Sequence, residues 1–313
     1  RSNQIKPFIS SMQNITGTSE ANNQINQTTK PNIKEEVIMN YKDKEIIVSV
    51  SGGKDSTAMC LNLLEQGYTK NQFRRVFANT GWEHSGTYDY LDELEKTIGK
   101  IERVQAVIEV KEEDQSFLQE IESEIGQSNM IRTILKNRMF PSGYAKFCTR
   151  TLKLNPLGDF FDSIEGDMVN VVGIRKEESH ARSKMEEWEW NEYFDCYTHR
   201  PLIDWTEKDV IDIHHRFNLA PNGLYLNGSH RVGCYPCIFS RKKEISILPE
   251  NRIDLIQRVE KYLSEKKDKR VSFFKMGFID DVYEWSKTTR GGVQFELFST
   301  EERTCVKWGL CEF

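Results

Sequence analysis

The sequence predicts a doubly wound α/β fold. A parallel sheet carries helices on both faces, and a smaller, mainly helical, cysteine-containing region follows it. Three observations predict this. The β-branched run Ile46–Val50 ends in Ser51-Gly52-Gly53 and passes into an apolar helical pattern at Ala58, Met59, Leu61, Leu63 and Leu64. That order reads as buried strand, tight turn and helix N-terminus. Further short apolar runs interleave with helical patterns, and repeated βα units make a parallel sheet. Polar turns close these runs, on the sheet edge where sites of such folds lie.

Residues 1–38 are rich in Asn, Gln, Ser and Thr and show no periodicity, so a disordered polar arm is expected. The chain opens on Arg1, as a fragment or processed form would, and the folded unit is expected to begin near Met39. The first strand is Glu45–Val50 and the first helix runs from Asp55 to about Gln66. Then come a strand at Arg75–Ala78, a helix at Ser85–Ile98 and a strand at Val104–Val110. Helical patterns follow at Gln115–Ile125, Ile131–Asn137 and Asn155–Ser163, the last with Pro156 near its start. A near-continuous apolar strand, Met168–Ile174, completes an α/β unit over 39–200.

The remaining stretch, 201–313, opens on Thr206-Glu207-Lys208-Asp209, a capping-box helix start followed by Val210, Ile213 and Phe217 on one face. His214 and His215 lie on that helix but point different ways, which makes them poor joint ligands. A helical pattern spans Ile253–Leu263, and Trp285, Phe295, Phe298 and Trp308 read as packing positions.

The chain has 313 residues, 38% hydrophobic and 29% charged, with net charge −5. This suits a globular protein with a polar surface. No apolar run approaches the roughly 20 residues of a membrane span, and there is no signal-peptide core, so a cytoplasmic protein without a membrane partner is expected. The acidic balance gives no global footprint for nucleic acid. Seven cysteines, with Cys234 and Cys237 in a Cys-x-x-Cys, point to metal or redox chemistry ahead of disulfides.

The turn after the first strand carries the chemistry. A helix N-terminus leaves N–H groups unpaired and is partially positive. Gly52 and Gly53 let a phosphate come close to the backbone. Lys54 adds charge, Ser51, Ser56 and Thr57 add hydroxyls, and Asp55 can hold magnesium or cap the helix. An ordinary strand-turn-helix with a serine cap is the plainer alternative. The turns Asn79-Thr80-Gly81-Trp82-Glu83 and Gly173–Ser179 end the second and fourth strands, so they are expected on the same rim.

The hexapeptide Ser51–Ser56 resembles the PP-loop of the ATP pyrophosphatases, the adenine nucleotide alpha-hydrolase superfamily. Phe147–Lys153, the stretch GIRKEESHAR at 173–182, RPLIDWTEKDV at 200–210 and RVGCYPCIFSR at 231–241 join it. With the Asn79–Glu83 turn, the set resembles the phosphoadenosine phosphosulfate (PAPS) reductase family over about residues 45–241. The resemblance implies a Rossmann-like fold and an adenine nucleotide bound by Ser51, Gly52, Gly53, Lys54, Asp55 and Ser56. Thr80 and Gly81 would lie near it, although Asn79 stands where Asp is usual. Gly173 belongs to the matching strand end, and Arg175 and Arg182 match positions facing phosphate or sulfate. Solvated surface charge is the alternative for Arg182. Lys54, Asp55, Ser56 and Arg175 would serve catalysis, with Mg²⁺.

Cys148, Cys234 and Cys237 match three ligands of the four-iron four-sulfur cluster of bacterial adenylyl-sulfate reductases, with Thr149 where those enzymes carry a second cysteine. The fourth ligand would be Cys305, or Cys311 or Cys196, or the iron would stay open. Structural zinc and plain buried thiols are the alternatives. Cys60, inside the first helix, reads as a core residue.

Reductases of this family generally have a degraded loop and a C-terminal Glu-Cys-Gly motif. Here the loop is intact and the tail, Thr304–Phe313, does not match. The expected chemistry is therefore attack at the α-phosphate of ATP, with pyrophosphate released and an acceptor adenylated for sulfur transfer. Nucleic-acid thiolation or phosphorothioation would be its pathway, with a sulfur donor such as a cysteine desulfurase and a nucleic-acid-modifying complex as partners. The alternatives are a sulfonucleotide reductase forming sulfite through Cys305 or Cys311, and a non-catalytic nucleotide-sensing subunit.

Overall fold

The computed structural model describes residues 41, 43–290 and 308. The predicted polar arm, Phe295, Phe298, Cys305 and Cys311 lie outside the described residues.

Six strands form one sheet in the order β3-β2-β1-β4-β6-β5. They are β1 (Glu45–Ser49), β2 (Phe73–Ala78), β3 (Ile101–Val104), β4 (Met168–Val171), β5 (Trp188–Asn191) and β6 (Cys196–His199). All pairings are parallel except β5 with β6. The helices are α1 (Lys54–Glu65), α2 (Ser85–Ile98), α3 (Glu112–Ile125), α4 (Asn129–Asn137), α5 (Phe147–Thr149), α6 (Asn155–Asp162), α7 (Glu207–Arg216), α8 (Gly223–Leu226), α9 (Lys242–Ser246), α10 (Glu250–Lys267) and α11 (Ile279–Lys287).

Alternation along β1 sends its side chains to two faces. Ile46, Val48 and Val50 pack with Ala58 and Leu61 of α1, Leu91 of α2 and Val210 of α7. Ile47 packs on the other face with Val76, Phe160, Phe161 and Phe194. A third core forms beside the sheet, where Trp82 and the apolar faces of α3 and α4 meet Ile256 and Val259 of α10 and Val282 of α11.

Two expectations need correction. The third strand is Ile101–Val104, not Val104–Val110. Residues 105–110 include the apolar run Ala106-Val107-Ile108, but β3 is the sheet edge, and the chain leaves it once Val104 has paired with Ala78. The sheet also gains β5 and β6, which the sequence reading left without structure. Their aromatic, charge-interleaved residues do not look like a buried strand, yet β6 pairs with β4 and β5 covers its outer side.

The chain runs β1, β2, β3 outward in one direction and then returns to place β4 on the other side of β1. The loops after β1 and β4 therefore diverge, and they leave a crevice at the carboxyl ends of those two strands.

Candidate functional site

The loop after β1 is held open by short-range bonds. Gly52 sits at φ 72°, a conformation glycine adopts without strain. The Ser56 hydroxyl donates to the Gly53 carbonyl at 3.0 Å and accepts from the Ser51 N–H at 3.1 Å. Ser51 Oγ lies 3.1 Å from Ser56 Oγ. Among the described residues, the N–H groups of Gly52, Asp55 and Ser56 have no partner. They stand at the N-terminus of a 12-residue helix, as an anion cradle requires.

Two remote segments brace this loop. Lys54 N–H donates to the Tyr225 hydroxyl at 3.1 Å, and Asn222 Nδ2 donates to the Gly52 carbonyl at 3.3 Å. His214 Nε2 is 3.0 Å from the Lys54 carbonyl. The ring is thus a peg between α7 and α1. Burial lowers its pKa. From the β4 side Gly173 comes so close that a Cβ there would lie 2.4 Å from the Asp55 carbonyl oxygen.

Charge is paired at the cavity floor. Asp55 Oδ2 takes the Lys54 ammonium at 2.9 Å, and Asp55 Oδ1 takes Arg175 Nε at 2.5 Å. Arg175 Nη1 also reaches Glu177 at 3.0 Å. Burial pushes the Asp55 carboxyl up, but Lys54 and Arg175 together hold it below its ordinary value. Arg182 pairs with Glu178. A cavity of about 680 Å³ opens above this floor, within the usual size of small-molecule sites. Ser51, Gly53, Lys54, Asp55, Ser56, Gly173, Arg175 and Arg182 line it. Gly52, Thr80 and Gly81 do not. Residues to which the sequence reading gave no place in the cavity also line it: Tyr225, Arg231, Phe239, Arg241, Lys243 and Trp308 among them. Only the Asn-Gly at 222–223, a turn signal, hinted that this segment folds back.

Thr80 and Gly81 serve a second region. Thr80 Oγ1 donates to Glu83 at 2.7 Å, and Tyr88 donates to both Glu83 and Asn79, at 3.0 and 2.9 Å. Asn79, at the place where Asp is usual, also accepts the Gly81 N–H at 2.9 Å. Gly81, at φ 65°, passes so near Ser128 that a Cβ would meet its Cα at 2.7 Å. Trp82 is buried, and its indole donates to the Pro236 carbonyl at 3.0 Å while its own carbonyl accepts the Tyr235 N–H at 2.8 Å. The turn after β2 thus fastens the Cys234–Cys237 loop.

Cys148 opens a helical run from Phe147 to Asp162 that is interrupted by a π-turn at Arg150–Leu154. Such turns recur at functional sites. On it, the Lys153 ammonium is raised in pKa by the charges of Cys234, Glu83, Cys237 and Cys148, outweighing burial. Burial pushes the Cys234 thiol up to about 11, with Lys153 opposing, and raises the Cys148 thiol as well. The three thiols predicted as ligands thus lie within electrostatic reach of one ammonium group, and thiolate donors suit a soft metal. A formed ligand set is a further step: among the described residues, no three His, Cys, Asp or Glu side chains are gathered to hold a metal ion. Cys196 packs elsewhere, with Phe161 and Phe194. Cys60 is fully buried in α1.

A family model described as the phosphoadenosine phosphosulfate reductase domain matches residues 45–240. An uncharacterised 37.8 kDa protein of Escherichia phage 186 is 32% identical over 327 aligned positions, covering 85% of this chain and 96% of that one. An adenosine 5′-phosphosulfate reductase of Oceanobacillus iheyensis is 27% identical over 193, covering 62% and 71%. The solved phosphate complex of a phosphoadenylyl-sulfate reductase from Candida auris covers 64% of this chain and 84% of its own, at 15% identity and TM-score 0.45. Among the described residues, no helix is long and apolar enough to cross a membrane.

Proposed function

This chain belongs to the phosphoadenosine phosphosulfate reductase family, and from that premise we propose that it acts at the α-phosphate of ATP in a sulfur-transfer reaction, in the cytoplasm. One observation carries the reading. Lys54 and Arg175, both held on Asp55, stand beside three unpartnered loop N–H groups. That arrangement suits the β- and γ-phosphates of ATP as a leaving group. An acceptor oxygen would attack the α-phosphorus, the bridging α–β P–O bond would break, and pyrophosphate would leave on Lys54 and the loop amides. The terminal sulfur of a donor persulfide, such as that of a cysteine desulfurase, would then displace AMP, and a thiol reductant would cleave the remaining S–S bond, leaving sulfur on the acceptor and ending as a disulfide with the donor cysteine. Nucleic-acid thiolation or phosphorothioation is the pathway we assign to it. Asp55 would hold Mg²⁺, which commonly binds through one or two carboxylates plus substrate phosphates, and which would neutralise charge on the leaving pyrophosphate. Cys148, Cys234 and Cys237, with Cys305 as fourth ligand, would hold a four-iron four-sulfur cluster, or else zinc.

A second reading, reduction of a sulfonucleotide to sulfite, draws support from the reductase relatives and from Trp308. Trp308 lines the cavity, and its carbonyl lies 2.9 Å from His215 Nε2. Cys305 and Cys311 are each three positions from it in the sequence.

Calorimetric titration of anaerobically purified protein with ATP–Mg²⁺ and with PAPS separates the two. The expected result is ATP binding that Lys54→Ala abolishes, with PAPS bound more weakly. Preferred binding of PAPS would replace the first reading by the second. Iron, acid-labile sulfide and zinc assays on the same sample identify the metal.

A further inference from the structure

The cations on the two sides of the cavity differ. Those of the floor and of the β4 loop are compensated: Lys54 and Arg175 by Asp55, Arg182 by Glu178. Across from them, Arg231, Arg241 and Lys243 line the same cavity, and among the described residues none of their side chains has an ion pair. The one carboxylate in that stretch, Glu244, is engaged by backbone. It accepts the N–H groups of His230, Arg231 and Arg241, at 3.0, 3.3 and 2.8 Å. Three exposed cations without an ion pair among the described residues line one cavity in a chain of net charge −5, a local basic wall that would attract an anion.

Phe239 stands between these cations in sequence and lines the same cavity, 58% exposed. Lys146 lies 5.4 Å from its ring centroid, and Tyr144, two residues away, is 94% exposed. An exposed aromatic ring beside uncompensated arginine and lysine is the combination that binds single-stranded nucleic acid, with phosphates on the cations and a base on the ring. The cavity opening onto the loop would place a phosphodiester near the α-phosphate of ATP.

We propose that Arg231, Arg241 and Lys243, with Phe239 as stacking platform, form the acceptor subsite, and that it takes a single-stranded segment of nucleic acid. The proposal rests on the ATP reading for the chemistry done there, but its binding test is independent of that reading.

The test is fluorescence anisotropy of the full chain with a labelled single-stranded oligonucleotide, as DNA and as RNA, over a range of salt. Arg231→Gln/Arg241→Gln/Lys243→Gln is the main variant. It should weaken binding at least tenfold and reduce the slope of log K against log salt by about 2, near 0.7 per lost phosphate contact. Phe239→Ala should weaken it about tenfold. Both variants should keep the thermal melt and the ATP–Mg²⁺ affinity of the parent within about twofold. Lys54→Ala should do the reverse, losing ATP and keeping the strand. Three outcomes overturn the proposal: a triple variant that binds the strand as the parent does, one that loses ATP equally, or AMP competing as well as the strand at equal phosphate. If the parent binds the strand at this wall but not ATP, the ATP reading fails and the subsite stands. Whichever of DNA and RNA binds more tightly identifies the strand.

Discussion

The loop site and the cysteine region lie on one rim of the same sheet, but they are assembled differently. The loop is made by six consecutive residues after β1. Its hydroxyl bonds stay within Ser51–Ser56, and its charges are matched at the floor by Asp55. The cysteine region is made by segments far apart in the chain: the turn after β2, the π-turn carrying Lys153, the Cys234–Cys237 loop and α10, whose Arg252 lies 4.6 Å from the Trp82 ring centroid. The first region forms its own short-range bonds and is braced from outside by Tyr225, Asn222, His214 and the approach of Gly173. The second exists only when the third core has formed around Trp82. Damage to that core should therefore cost stability before nucleotide binding, and damage to the loop the reverse.

Trp82→Ala should be the heaviest blow to the second region. Removal of a fully buried aromatic costs about 3–5 kcal/mol, and it also leaves the Pro236 carbonyl without its indole donor. Urea unfolding should show that loss, while calorimetry well below the melt shows nearly parental ATP–Mg²⁺ affinity. Affinity falling as far as in Lys54→Ala would mean that the two regions are one unit.

Gly173→Ala is the reciprocal change. Its Cβ meets backbone, the Asp55 carbonyl at 2.4 Å, so β4 and the start of α1 must separate. Overpacking of this kind costs about 1–3 kcal/mol, a smaller loss than at Trp82. Nucleotide binding should nevertheless be lost. Unchanged affinity in the same titration would show that the approach of β4 to the loop is incidental.

The smallest effect sharpens the comparison through pH. In the core next to the cysteine region, Glu260 of α10 accepts N–H groups from Phe273 at 2.7 Å and from Ile279, the first residue of α11, at 3.0 Å. Burial raises its pKa from 4.5 to about 7, against those two bonds. The folded state then binds the extra proton between those values, so this group makes stability fall as pH rises from about 4.5 to 7 and level off above. After allowance for solvent screening the slope amounts to about 1–2 kcal/mol. Asp55 has the opposite sign: its lowered pKa adds stability above the ordinary aspartate range, lost as pH falls below it. Glu260→Gln should flatten the fall in denaturant midpoint between pH 5 and 7.5. A midpoint that still declines in the variant as in the parent would assign it to another group.

Much of the loop site was legible because its signals are local. A β-branched run, two glycines, a lysine and a helical pattern within about twenty residues fix strand, turn and helix, and Gly173 and Arg175 follow from the end of the next strand across the sheet. Tyr225 and Asn222 were not legible. Nothing in their neighbourhood says that residues some 170 positions later fold onto Gly52 and Lys54. Thr80 and Gly81 were visible as a strand-end turn, but their neighbours were not. Whether such a turn faces the nucleotide cavity or a cysteine loop depends on what packs against α3 and α4, and no local pattern encodes that.

By itself, then, the sequence determined the parallel α/β core, the family and the strand-turn-helix that carries the loop after β1, since period-2 and period-3.6 patterns and turn residues act over a few positions. Only the tertiary structure decided which cations are matched and which are not. It also decided that Lys153 comes within electrostatic reach of Cys234, Cys237 and Cys148 and that the turn after β2 fastens the Cys234–Cys237 loop. Those are properties of distance between segments, and electrostatics and packing depend on that distance, not on separation along the chain.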